Sequence, residues 1–284
     1  MAPLSRHRTL LLTLDAFNTI FHPRRPIPAI YAGVAQDLGV IPSDISHDVV
    51  KTAFKAAFKH NSAHYPNYGR DTPGFGGPKV WWGNVIRECF ANVKGRDSTV
   101  NDIPDRLVET LIGVFEGDSG YKLYDDVIPF FKKLQAWKDA KRSGNTGKDW
   151  DRIVIGVVSN ADDRVPTILR SLGLHVGSAW ANSGELLPTV DKAYGAMEGE
   201  NDIDFIVTSY EAGKEKPHKH IFDVARKRAE EHLRTCGADI DCPFPAGNDL
   251  CVHVGDDYHD DYEGARNAGA RAGAENSPLD SRPR

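Results

Sequence analysis

No Cys-x-x-Cys pair occurs among the four cysteines, Cys89, Cys236, Cys242 and Cys251, so structural zinc and dithiol redox chemistry lack their usual spacing. They read as reduced packing residues. No apolar stretch approaches the roughly 20 residues of a membrane helix, and no secretory hydrophobic region follows the start. Residues 1–8 are basic and free of acids, as transit peptides are, but the first core strand begins almost at once and leaves no room for a removable leader. An intracellular protein, cytoplasmic or nuclear, is expected, with no membrane partner. Basic blocks are also missing beyond Ser5-Arg6-His7-Arg8, and the formal net charge is −5 with a pI of about 6.1. Without a basic field no nucleic-acid partner is expected. Composition leaves the oligomeric state open.

What the chain does have is acid at the ends of apolar runs. Cys251-Val252-His253-Val254 leads into Gly255-Asp256-Asp257-Tyr258-His259-Asp260-Asp261, and far upstream Leu10-Leu11-Leu12-Thr13-Leu14 delivers Asp15. Oxygen ligands of this kind suit Mg²⁺, which takes one or two protein carboxylates and keeps room for water and phosphate.

Runs at 9–14, 153–158, 203–208 and 250–254 are nearly continuous in apolar residues and alternate with helical stretches, the pattern of a parallel sheet covered on both faces. In such sheets ligands bind beyond the carboxyl ends of the strands. The more than one hundred residues between the first two runs are too many for one crossover and suggest an insert. Ile30, Val34 and Leu38, then Val50, Phe54 and Phe58, then Trp81, Val85 and Cys89 recur at helical spacing. Leu107, Leu111 and Val114 suggest a further helix; Val127, Phe130, Phe131 and Leu134 suggest one returning to the core. The expected organisation is α/β: a Rossmann-like core of residues 1–21 and 121–284, and a helical cap of residues 22–120. Residues 64–79, rich in Pro, Gly and Tyr, form either a loop over the site or an ordinary surface connection. Residues 141–151 and 186–202 read as polar insertions. After a helix expected at 261–268 and its cap Gly269, residues 270–284 are small and polar, so a final edge strand is expected to be short or missing.

With four strand ends in view, the chain resembles the haloacid dehalogenase (HAD) superfamily of hydrolases over nearly its whole length. The resemblance rests on Asp15-Ala16-Phe17-Asn18-Thr19 after the first strand and Val157-Val158-Ser159-Asn160 at the second. It rests further on Lys216-Pro217-His218-Lys219-His220-Ile221-Phe222, and on Gly255-Asp256 followed by Asp261. Tyr65-Pro66-Asn67-Tyr68-Gly69, Trp81-Trp82, Thr208-Ser209-Tyr210-Glu211-Ala212-Gly213 and His253-Val254-Gly255-Asp256 resemble the subgroup called haloacid dehalogenase-like hydrolase domain-containing protein 3.

The resemblance implies Asp15 as a carboxylate nucleophile that splits hydrolysis into two covalent steps, and Lys216 as the cation beside it. It implies Thr19, Ser159 and Asn160 as phosphate-binding donors, and Asp15, Asp256 and Asp261 as the Mg²⁺ group, Asp261 acting on the ion or its waters from behind. Lys214 competes with Lys216, and Asp257 and Asp260 read as solvated acids at a helix start. A small phosphorylated metabolite is the implied substrate. Phe17 departs from the family pattern, because phosphatases of this superfamily place an acid-base Asp there; Asn18 likewise replaces a Gly. Family dehalogenases carry an aromatic at that point, yet lack the Gly-Asp motif present here. Carbon–halogen hydrolysis and a catalytically impaired ligand-binding or regulatory protein are therefore alternatives. Asp162, Asp163, His218 and His259 are weaker candidates for the absent acid-base group.

Overall fold

The computed structural model describes residues 8–144, 150–177, 201–236 and 251–273. Five parallel strands form one sheet in the order β5-β4-β1-β6-β7: β1 (Thr9–Leu14), β4 (Arg152–Ser159), β5 (Phe205–Thr208), β6 (Cys251–Val254) and β7 (Arg271–Gly273). Two shorter strands, β2 (Phe21–Pro23) and β3 (Tyr121–Leu123), pair with each other. β1 is central, with Leu14 in register with Val157 of β4 and with Val254 of β6. The strand order reverses beside β1, where open α/β sheets bind their ligands. The edge strand expected to be short or missing is present as the three residues of β7, paired with β6. Its composition is poor for a strand, and the backbone ladder to β6 supplies what side chains do not.

The chain divides into two compact units. The first holds residues 1–21, 124–160 and 174–284; the second holds His22–Leu123 and Ala161–Gly173. Beside the expected 22–120, residues 121–123 and 161–173 group with the helical unit. The loop and helix after β4 make their contacts with that unit, a tertiary preference that periodicity along the chain does not report.

In the core unit, Leu11, Val154, Val158, Phe205 and Val207 from the sheet pack with Ile221, Phe222, Ala225, Ala229 and Leu233. The latter five lie along one face of the helix Lys219–Thr235, whose opposite face is charged. Burying each Val, Leu, Ile or Phe of this set is worth about 1.5–3 kcal/mol, and each Ala less. No helix among the described residues is long and apolar enough to cross a membrane.

The helical unit contains α1 (Ile27–Asp37), α2 (His47–His64), α3 (Pro66–Gly69), α4 (Gly77–Lys94) and α5 (Asp105–Val114). α1, α2, α4 and α5 match the apolar spacings in the sequence. Aromatic rings fill its centre: Tyr31 lies edge-on to Phe54 at 5.1 Å and stacks near Phe90, while Phe58 meets Trp81 at 5.3 Å. A cavity of about 30 Å³ lined in part by Tyr31, Trp82, Tyr121 and Arg164 admits about one or two waters, and no predicted site residue borders it. Residues 64–79 comprise the end of α2, α3 and the entry to α4, with Asn67 and Tyr68 both at positive φ.

Asp162 belongs to this unit. Its carboxylate accepts from Arg164 Nη2 at 2.7 Å, Arg164 Nε at 2.9 Å and Trp82 Nε1 at 2.7 Å. Burial alone would raise its pKa, but Arg164 and these bonds hold it below its ordinary 3.8. A depressed carboxylate contributes stability that is present above the unfolded pKa and lost as pH falls through the folded one. Asp162→Ala leaves the guanidinium, only 15% exposed, without its partner, and a loss of about 3–5 kcal/mol in urea unfolding at neutral pH is expected. A loss below about 1 kcal/mol would place the pair with weak surface bridges.

Candidate active site

Asp15 follows the last residue of β1, and its N–H donates to Val254 O at 2.8 Å, so β6 fixes where the acid emerges. The loop then turns sharply at Asn18, φ 58°. Asn is among the few non-glycine residues that tolerate this region, which explains how it replaces the family's Gly. Its side-chain amide also donates to Asp256.

Asp15, Lys216 and Asp261 form one buried chain. Lys216 Nζ donates to Asp15 Oδ1 at 2.6 Å, Asp261 Oδ1 at 2.6 Å and Val158 O at 3.1 Å, which uses all three ammonium hydrogens. Lys216 is 5% exposed and Asp15 6%, whereas the competitor Lys214 is exposed. Burial pulls the Lys216 pKa down, but Asp15 and Asp261 together more than offset this. Burial raises the Asp15 pKa, with Lys216 opposing and Asp261 adding to the rise. Asp261 lies well below the usual carboxylate range: burial is outweighed by the bond from His253 and by Lys216.

Asp256 stands exposed at the mouth, its pKa raised by partial desolvation and then by Asp15. One oxygen from each of Asp15, Asp256 and Asp261 lies within 4.8 Å of the others. Oxygens around an octahedral Mg²⁺ at about 2.1 Å sit roughly 3–4.2 Å apart, so the group is close to a metal shell. Three carboxylates gather where Lys216 pairs with only Asp15 and Asp261, and the mutual repulsion at Asp15 and Asp256 is what a divalent cation relieves. The donor set fits Mg²⁺. Both oxygens of Asp261 are engaged, Oδ1 by Lys216 and His253 and Oδ2 by the Asp257 N–H at 3.0 Å. Asp15 and Asp256 are thus the acids free to touch an ion, and Asp261 acts from behind.

Gly255 permits this approach. A Cβ there would lie 2.1 Å from Asp261 Cγ, closer than any real contact.

Ser159, 1% exposed at the end of β4, donates its hydroxyl to Asp15. Thr19 Oγ1 is buried without a hydrogen-bond partner, which costs free energy unless something fills it. Asn160 Nδ2 donates to Lys216 O and to Asp260 Oδ2, each at 3.0 Å, and its Oδ1 accepts from Lys216 N–H at 2.6 Å. These bonds clamp the lysine loop. Asp260, read as a solvated acid, is the far end of that clamp, and Asp257 caps the turn by accepting from Asp260 N–H at 2.8 Å.

The candidate substitutes for the absent acid are engaged elsewhere: Asp162 with Arg164, His218 capping the helix Lys219–Thr235, and His259 with Glu263 on the surface. Asp163 lies in the helical unit. Phe17 packs its ring edge-on against Phe21 at 4.6 Å. His253, part of the motif before Asp256, was not among the expected site residues. It is buried on β6, with Nε2 at 3.0 Å from Asp261 Oδ1 and Nδ1 at 2.9 Å from Thr13 Oγ1. The signal was a histidine inside an apolar strand.

A model of the haloacid dehalogenase-like hydrolases matches residues 10–269; the chain belongs to this family and is a hydrolase of the HAD superfamily. Haloacid dehalogenase-like hydrolase domain-containing protein 3 of Mus musculus is 29% identical over 95% of this chain and 84% of its own length. The Danio rerio protein of that name is 29% identical over 90% and 81%. Among solved structures, the magnesium-bound HAD hydrolase YfnB of Bacillus subtilis superposes with a TM-score of 0.52 at 15% identity, covering 94% of this chain and 87% of that one. A 2-haloacid dehalogenase of Pseudomonas syringae gives 0.50 at 17%, covering 95% and 91%. At such identities the structures speak for the fold alone.

Proposed function

We propose that the protein is a Mg²⁺-dependent phosphohydrolase acting on a small phosphorylated metabolite through Asp15. The observation that carries this reading is the convergence of the Asp15, Asp256 and Asp261 carboxylates, two of them, Asp15 and Asp261, paired with Lys216. The carboxylate oxygen of Asp15 not held by Lys216 attacks phosphorus and the bond to the leaving oxygen breaks, forming an aspartyl phosphate. Water then attacks that phosphorus, returning the Asp15 carboxylate and releasing inorganic phosphate. Lys216 orients Asp15 and offsets charge gathering on the transferring group. Ser159 fixes the carboxylate, and Thr19 Oγ1 has a donor to give. Asp15 and Asp256 would hold Mg²⁺, which supplies positive charge to the phosphoryl oxygens.

Phe17 gives the leaving oxygen no proton, so that proton comes from water and turnover is slow. Phe17→Asp is expected to raise kcat about tenfold or more, given that a positioned acid-base group contributes roughly 10²–10⁴. It loses the ring contact with Phe21, worth about 0.5–1.5 kcal/mol. Unchanged or lower turnover in folded Phe17→Asp would show that the absent acid does not limit the rate.

The test of the reading is a phosphomonoester panel assayed with Mg²⁺ and with EDTA. Metal-dependent phosphate release from at least one member is expected; none across a broad panel would count against it. The aromatic Phe17 favours a second reading, hydrolysis of a carbon–halogen bond. Halide release that persists in EDTA would select it.

A further inference from the structure

We propose that His253 is a positioning residue, which through a single fixed tautomer holds Asp261, and through Asp261 holds Lys216, in the geometry that aims Asp15. The inference deepens the phosphohydrolase reading and rests on it for its kinetic part only. Its structural part stands on the hydrogen-bond directions.

Asp261 Oδ1 receives Lys216 Nζ at 2.6 Å and faces His253 Nε2 at 3.0 Å. A carboxylate already accepting from an ammonium and from the Asp257 amide has no proton to give, so Nε2 carries the hydrogen. The imidazole is fully enclosed and packs edge-on to Phe222 at 5.2 Å. Enclosure of this kind disfavours a charged ring. Nδ1 of the neutral ring is then an acceptor, and the Thr13 hydroxyl donates to it from 2.9 Å in preference to its other acceptor, Val252 O, at 3.3 Å.

Hydrogen bonds therefore run one way, from Thr13 on β1 through His253 on β6 to Asp261, where they meet those from Lys216. The two strands that carry Asp15 and Asp256 also carry the pair that orients Asp261. A ring with its second nitrogen held by a hydrogen bond has a defined orientation, and loss of such outer partners commonly lowers activity 10- to 100-fold. A core histidine serving only as filler would need neither bond, and a phenylalanine of nearly the same shape would replace it without moving Asp261.

The test compares wild type, His253→Phe and His253→Gln, the glutamine amide offering a donor near the place of Nε2. Three measurements are made. The imidazole ¹⁵N spectrum of wild type is expected to show the Nε2–H tautomer. Crystal structures are expected to show Asp261 turned away from Lys216 in His253→Phe but still bonded to it in His253→Gln. With an active phosphomonoester, kcat is expected to fall roughly 10- to 100-fold in the first and to stay within about threefold of wild type in the second. An Nδ1–H tautomer, or Asp261 unmoved in His253→Phe, overturns the proposal. If His253→Phe does not fold, the wild-type spectrum and the His253→Gln structure still decide it. Should wild type hydrolyse no phosphomonoester while spectrum and structures come out as expected, the positioning role stands and the phosphoryl chemistry is what fails.

Discussion

Asp15→Asn is expected to reduce phosphate release at least about 10⁴-fold, to the floor of the assay, because the amide cannot form the covalent intermediate through which both steps pass. The same substitution is not expected to unfold the protein. Asp15 has a folded pKa raised above its ordinary 3.8, by burial first. A raised group contributes stability that is fully present below the unfolded pKa and lost as pH rises through the folded one. Ionisation of the buried carboxylate therefore opposes folding, and Lys216 keeps Asp261 as a partner without it. Thermal stability without metal should be equal or higher in Asp15→Asn, the trade expected where a site is strained for function. Added Mg²⁺ should raise the melting temperature of wild type and leave the variant nearly unchanged, since a ligand bound only by the native state stabilises it by mass action. Near-wild-type turnover in Asp15→Asn would remove the nucleophile from the account.

Lys216→Met carries the second large effect, on stability and rate together. The methionine fills much of the volume but leaves two acids, 8% and 4% exposed at their side chains, facing each other without a cation. Removing one partner of a buried ion pair costs about 3–5 kcal/mol, and losing a charge aimed at the reacting group costs about 10²–10³ in kcat. Asp15→Asn added to Lys216→Met should recover part of the lost stability, because one unpaired carboxylate disappears; the cycle measures the coupling directly. A recovery no larger than the change Asp15→Asn makes on its own would mean that the two side chains are not coupled.

Much of this arrangement was legible in the chain. Asp15 and Asp256 were readable because they follow strands, and Lys216 because it stands shortly before a helix, in motifs whose order reveals the shared sheet edge. The apolar runs of β1, β4, β5 and β6 were readable because strands buried on both faces are written in Val, Ile and Leu. The direction in which a polar side chain turns was not legible. Asn160 follows Ser159 at a strand end, and its position alone does not reveal the bonds its amide makes to Lys216 and Asp260. His253 sits inside an apolar run, where spacing cannot distinguish a packed ring from one bonded at both nitrogens. The preference of residues 161–173 for the helical unit depends on the Asp162, Arg164 and Trp82 contacts, which join residues some 80 positions apart.

Under the proposed reading Asp15 is a carboxylate set up to bond phosphorus. Beryllofluoride, which mimics a phosphoryl group on an aspartate and requires no knowledge of the substrate, probes this by ¹⁹F NMR in the presence of Mg²⁺. Bound fluoride resonances are expected in wild type and none in Asp15→Asn. Absence of bound resonances in folded wild type, or the same resonances in both proteins, would contradict it.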